Sequence, residues 1–177
     1  MFRILIGIVA AGGWLWAAGA VQPGVIVVDY PRMGAVFPPE FPAPVVEWRD
    51  AALGVTAWSI EVTFGGGQPA LRARSMGARY VLGKVDPRCV ALTYRPPALT
   101  AEQAVGHTWK PDAEMWAAIK RNSVEGEATI TIAGLRAGTQ AVSRGQVKIR
   151  TSRDAVGAPI FYRDVPLMPS DSEKGVI

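Results

Sequence analysis

The chain has 177 residues, a formal net charge of +4 and a single cysteine, Cys89. One cysteine excludes an intramolecular disulfide, and the absence of a C-x-x-C-H motif excludes covalent haem attachment. Cys89 lies in an apolar stretch, which is typical of a buried, inert thiol. The charge is basic, but no dense basic run is interleaved with aromatic residues, so no nucleic-acid partner is predicted.

The N-terminus has the pattern of a secretory signal peptide, assigned to residues 1–20. Arg3 supplies one positive charge, Leu5–Ala18 carries none, and Ala18-Gly19-Ala20 places small residues where signal peptidase requires them. We therefore expect cleavage after Ala20 and export to the periplasm or beyond the cell. The alternative is an uncleaved anchor, but the apolar run is shorter than the roughly 20 residues that a membrane span needs. Membrane contact is expected only through such an uncleaved segment.

Residues 21–44 form a proline-rich lead-in to the folded part of the chain. Val25–Val28 has the composition of a short first strand. Proline lacks a backbone donor and fixes φ, so the rest of this segment is predicted to be neither helix nor central strand. We expect it to run as extended chain along a sheet edge.

The clearest strand pattern lies between residues 56 and 64. Trp58, Ile60, Val62 and Phe64 alternate with polar residues, which is typical of a strand with one buried face. Trp58 is the expected centre of the core. A shorter strand is predicted around residues 45–48, with a turn at 50–54, and three consecutive glycines end the long strand at residue 65.

Weaker strand patterns follow on both sides of a central helical region. Alternating or apolar stretches predict further strands at 71–74, 79–82, 89–94, 128–132, 147–150 and 157–167.

Two helices are predicted between residues 98 and 122. Thr100 and Gln103 have the spacing of a capping box at the start of a short helix. Pro111 suits the first turn of a second helix. On that helix Met115, Trp116 and Ile119 share one face, which indicates the side that is buried.

These elements predict a mainly β protein: an immunoglobulin- or fibronectin-like β-sandwich with a short helical insertion. The sandwich is assigned to residues 45–168, and residues 169–177 to a polar tail or linker. A parallel α/β sheet is disfavoured because helices do not separate the strands.

The chain contains no recognisable catalytic motif, and no cofactor or metal is predicted. His107 is the sole histidine and is expected in a loop between the helices, without clustered metal ligands or a G-x-S-x-G serine. A dyad with Cys89 is disfavoured because that thiol is expected to be buried. Asp154 and Asp164 each adjoin an arginine, so surface ion pairing explains them more simply than acid–base catalysis.

Aromatic residues suggest a ligand site instead. Trp58 and Trp116 occupy core positions in their periodic patterns, whereas Trp109 adjoins no apolar pattern. Exposed aromatic rings stack on sugar faces, so Trp109 and His107 are the candidate ligand-binding residues.

The stretch Thr151–Leu167 resembles a segment of large exported bacterial proteins. Those proteins carry a β-sandwich-like N-terminal region, which in many is followed by a TolB-type β-propeller. The proline-rich entry, the strand around Trp58 and the Trp109-Lys110-Pro111 segment are also similar, so the resemblance covers most of residues 30–177. It implies architecture and carries over no catalytic residues. Because such proteins continue past Ile177, the resemblance also implies that this chain is the N-terminal piece of a longer one.

Three functional hypotheses follow. The first is a non-catalytic exported structural or interaction module that precedes a larger domain and binds a protein partner. The second is a domain that binds carbohydrate or cell-envelope polysaccharide through exposed aromatic rings. The third and least favoured is a hydrolase that uses Asp154, Asp164 or His107.

Overall fold

The computed structural model describes residues 23–83, 93, 95 and 97–157. Of these residues, 45% lie in strands and 12% in helices, which confirms the prediction of a mainly β protein. The strands are β1 (Gly24–Tyr30), β2 (Ala35–Phe37), β3 (Val46–Asp50), β4 (Val55–Phe64), β5 (Leu71–Ser75), β6 (Ala78–Arg79), β7 (His107–Trp109), β8 (Ala128–Arg136) and β9 (Gln140–Thr151). The helices are α1 (Ala101–Val105) and α2 (Ala113–Asn122).

The strands form one continuous sheet that nearly closes on itself. Their spatial order is β5-β4-β8-β9-β1-β3-β7-β6, and β2 pairs with the far end of β9. The two ends of this path, β5 and β6, are consecutive in the chain and separated only by Met76 and Gly77. The sheet therefore wraps around a single core.

The core consists of the inward-facing side chains of the long strands together with one face of α2. The period-two pattern of β4 is confirmed, because Trp58, Ile60 and Val62 are all buried. The remaining buried members of the cluster are Ile26, Phe37, Val46, Trp48, Trp116, Ile119, Ala128, Ile130, Ile132, Val147 and Ile149.

The lead-in enters the sheet more deeply than its composition predicts. β1 pairs in antiparallel fashion with β3 and, through Gly24 and Val25, in parallel fashion with β9. The short first strand expected at Val25–Val28 therefore forms, and it extends over Gly24–Tyr30 between two neighbouring strands. The reason is local: the prolines fall outside β1 and β2, so both strands keep their backbone donors. Among the strands that the structure describes, β2 pairs with β9 alone.

Both helices form where their caps predict them. Thr100 and Gln103 form the reciprocal capping box of α1. The N-cap of α2 is Asp112, so Pro111 precedes the helix and does not lie in its first turn. Trp116 packs edge-on against Phe37, with ring centroids 5.5 Å apart, and its Nε1 donates to the Phe41 carbonyl at 2.8 Å. These contacts fix the lead-in against α2.

Several predictions fall on segments outside the described residues. They include the signal peptide, most of the strand at 89–94, all but the first residue of the strand at 157–167, and the tail. At 79–82 the strand is shorter than predicted, because β6 ends at Arg79. Neither α1 nor α2 is long and apolar enough to cross a membrane, and these are the helices of the described part of the chain.

Candidate functional site

His107 and Trp109 lie on β7, so the prediction of a loop at His107 is wrong. A three-residue strand has no periodicity for sequence reasoning to detect, and β7 forms because β3 and β6 pair with it on either side. Residues two apart on a strand face the same way. His107 is buried, and Trp109 is partly buried against the core. The part of Trp109 in ligand binding stays a prediction.

His107 belongs to a buried aromatic centre, formed with Trp48 and Trp58. The ring centroids of His107 and Trp58 are 4.2 Å apart, and those of the two tryptophans are 5.7 Å apart. The His107 Nδ1 lies 3.0 Å from the Gly77 carbonyl oxygen, so Nδ1 is the donor in this contact. Gly77 has a φ of +66° and leaves room for the rings, because a Cβ there would lie 2.3 Å from the Trp58 ring. The centre is tightly packed, and a substrate has no space between its rings.

Asp50, on β3, links the aromatic centre to β9. Its Oδ2 accepts hydrogen bonds from Trp58 Nε1 at 2.9 Å and from Ser143 Oγ at 2.6 Å. Its Oδ1 accepts from the Ala52 backbone N–H at 2.9 Å. Three donors therefore occupy this carboxylate, and its role in the described structure is to join β3, β4 and β9.

Of the other candidate catalytic groups, the structure describes only Asp154. Asp154 is exposed, and its neighbour Arg153 pairs with Glu125 rather than with an adjacent aspartate. Asp164 and Cys89 lie outside the described residues. Within residues 23–83 and 97–157 no three His, Cys, Asp or Glu side chains are grouped so that they could hold a metal ion.

A polar groove lies on the outer side of β1 and β3, beneath α1. We call it the β1–β3 groove. It has a volume of about 400 Å³. Its charged and polar lining consists of Asp29, Arg32, Glu47, Arg49, Tyr80, Glu102 and Gln103, with His107 at its inner wall.

Arg49 is the central charge of the groove. Its guanidinium binds both oxygens of Asp29, at 2.7 and 2.8 Å, and its Nη1 lies 3.6 Å from Glu102 Oε1. The hydrogen bond and the charge of Asp29 raise the pKa of Arg49 further above its already high value. The capping box at Thr100 fixes the first turn of α1 and so holds Glu102 over the groove.

Glu47 has a different environment. Burial, and then the negative charge of Asp29, raise the pKa of Glu47 above its ordinary value of 4.5. Asp29 is already engaged by Arg49, whereas Glu47 has no salt bridge among the described residues and is open to a donor on a bound partner.

Replacement of Glu47 with glutamine is expected to raise stability at neutral pH. A raised pKa in the folded state means that ionisation of Glu47 opposes folding, so its favourable contribution is complete below pH 4.5 and is lost as the pH rises through the raised pKa. E47Q removes this loss. In urea unfolding, the free energy of unfolding of E47Q should therefore exceed that of the wild type at pH 7, and the two values should be equal near pH 3.

The matched control is Glu114→Gln, because Glu114 is exposed in the first turn of α2. Glu114 stabilises the helix as a carboxylate, so its loss should lower stability slightly at pH 7. If E47Q and E114Q changed the free energy of unfolding by the same amount at pH 7, burial of Glu47 would not be the cause of its raised pKa.

Sequence reasoning did not identify the groove residues. Asp29 on β1, and Glu47 and Arg49 on β3, occupy outward positions. Polar residues are common at such positions, so their presence there does not indicate a functional site. They become neighbours because β1 pairs with β3, and this pairing is set by tertiary structure rather than by a motif.

Comparison of the chain with protein-family models, with curated proteins and with solved structures gives no match.

Proposed function

We propose that the chain is a non-catalytic exported interaction module, the N-terminal part of a larger cell-envelope protein that carries a β-propeller. The observation that supports this function is the burial of Trp58 and His107, together with the bonding of the partly buried Asp50 to three structural donors. Groups that could perform chemistry are used to hold strands together, which favours binding over catalysis.

The β1–β3 groove is the proposed contact site of this module. Its alternating carboxylates and guanidinium groups suit a polar protein surface, where opposite charges set orientation and partner choice. The finer fold that we propose, an immunoglobulin- or fibronectin-type sandwich, is supported by the mainly β composition and by the single core between facing strands.

The first test is the N-terminal sequence and intact mass of the protein that the native host exports. We expect the N-terminus to be Val21 and the mass to exceed that of residues 21–177. A product that ends at Ile177 would contradict the proposal of a larger protein. A product confined to the cytoplasm with residues 1–20 intact would contradict export.

A second candidate function is binding to a polysaccharide of the cell envelope. The distribution of charge on the outer face of the larger part of the sheet favours it. Five basic side chains project there from β5 and β9, and the outward side chains of β4 and β8, which lie between these strands, are small or polar.

A further inference from the structure

The outer face of β5, β4, β8 and β9 carries a concentrated positive charge. Alternate residues of these strands are buried in the core, so the residues between them face outward. We call this surface the basic face. Its outward residues are Arg72, Arg74, Ser59, Glu61, Thr63, Thr129, Thr131, Ala133, Arg144, Gln146, Lys148 and Arg150.

The charges of the basic face lie in two rows with a polar lane between them. Arg72 and Arg74 form the row on β5, and Arg144, Lys148 and Arg150 form the row on β9. The lane of β4 and β8 consists of serine, threonine and alanine, apart from Glu61.

Two of the five cations have carboxylate partners on or beside this face. Arg72 pairs with Glu61 at 2.6 Å, and Lys148 pairs with Glu127 at 2.9 Å. Arg74, Arg144 and Arg150 are exposed, and the salt bridges among the described residues leave them uncompensated on this face. The face is therefore positive overall.

The spacing suits a linear polymer with repeated negative charges. Residues two apart on a strand project about 7 Å apart, and the three steps from β5 to β9 place the two rows about 14 Å apart. The three exposed guanidinium groups lie further apart than this, because Arg144 and Arg150 are six residues, or about 20 Å, apart along β9, and Arg74 lies across the lane on β5. Each can bind a carboxylate in bidentate fashion at a different point along a polymer. Thr131 is buried, but the hydroxyls of Ser59, Thr63 and Thr129 can bond to the sugar hydroxyls between the charges.

We propose that the basic face binds an acidic polysaccharide whose sugar units carry carboxylates. The outward positions of these four strands, all of which the structure describes, include no aromatic side chain. Stacking on neutral sugar faces or on nucleic-acid bases therefore has no platform here. Charge is the recognition element that the face supplies, so the ligand must bring the opposite charge.

This inference rests on the proposed function, because an envelope polysaccharide is accessible only to an exported protein. Binding is tested on the purified chain, whereas export and the larger protein are tested in the host. Either test can therefore fail while the other succeeds.

The test measures binding of the purified chain to sodium polygalacturonate by isothermal titration calorimetry, with neutral dextran and duplex DNA as comparison polymers. We expect binding to polygalacturonate that weakens between about 50 and about 200 mM NaCl, because salt screens exposed charges. Binding to dextran at equal affinity, or tighter binding to DNA than to polygalacturonate, would overturn the proposal.

Variants then locate the site. The double variant R144Q/R150Q is expected to weaken polygalacturonate binding about tenfold, because it removes two bidentate contacts. The control, K110Q/R121Q, removes two exposed charges near α2 and is expected to change binding less than about twofold. Equal losses in the two double variants would mean that net charge alone drives binding, and would overturn the basic face as the site.

A third variant changes binding in the opposite direction. E61Q releases Arg72 and removes the carboxylate of the lane, so it should tighten binding about twofold. A gain in affinity cannot come from misfolding. Unchanged or weaker binding by E61Q would contradict the proposed path of the polymer across the lane.

Discussion

Replacement of Asp50 with alanine is expected to lower the free energy of unfolding by about 4 kcal/mol. The change leaves Trp58 Nε1, Ser143 Oγ and the Ala52 N–H without their acceptor. Trp58 and Ser143 are buried, whereas Asp50 and Ala52 are only partly buried, so water replaces the lost bonds only in part. A loss of this size is a large part of the roughly 5–15 kcal/mol that stabilises a typical domain. Urea unfolding followed by tryptophan fluorescence measures it directly.

Asp50→Asn is the matched control. Asparagine keeps one acceptor oxygen but presents an N–H₂ group to one of the donors, so we expect less than half of the loss seen with alanine. A double-mutant cycle with Ser143→Ala adds a second check. If Asp50 acts through Ser143, removal of the serine hydroxyl should cost much less in the Asp50→Ala background than in the wild type. Fully additive losses would contradict the proposed network.

Asp50 also illustrates what sequence reasoning could and could not predict. A turn was predicted at residues 50–54, and the bond from the Ala52 N–H to the Asp50 side chain is a local contact typical of such turns. The bond from Ser143 joins residues 93 positions apart. No local pattern encodes a contact of that kind, because it depends on which strands become neighbours.

The same distinction holds across the fold. The strand around Trp58, the strands around Ile130 and Val147, and the two capped helices were predicted because each has its own period or cap. β7 has three residues and β6 has two, so neither has a measurable period. β7 pairs with β3 on one side and with β6 on the other, and this pairing places His107 in the core, which the sequence pattern could not indicate.

The candidate sites follow the same rule. His107 and Trp109 were selected by residue type, and the structure brings them together on one short strand without forming an exposed platform. The β1–β3 groove and the basic face arise from outward positions on strands that are distant in sequence. Their residues are ordinary surface types, and only the order of the strands makes them sites.

Replacement of Gly145 with alanine is expected to destabilise the protein by at least about 3 kcal/mol. Gly145 lies on β9 where β1 approaches it in parallel. A Cβ at this position would lie 2.3 Å from the Ile26 carbonyl oxygen and 2.8 Å from the Ile26 Cβ, closer than the 3.0 Å below which real Cβ contacts essentially never occur. The Ile26 carbonyl oxygen belongs to the backbone, so a change of side-chain rotamer cannot relieve the clash. β1 must move away from β9.

The control lies in the same pair of strands. A Cβ at Gly24, on β1, would meet its nearest neighbours at 3.6 Å, an ordinary van der Waals distance. Gly24→Ala should therefore be neutral or stabilise the protein by up to about 1 kcal/mol, because alanine restricts the unfolded chain. Thermal and urea unfolding of the two variants distinguish a close approach of β1 and β9 from a general intolerance of alanine in this sheet. Equal stability of the two variants would mean that β1 does not pack against β9 as described. Loss of stability in Gly145→Ala alone would establish that a parallel strand from the proline-rich lead-in is part of the folded core, since residue 145 clashes with nothing else as closely as with Ile26.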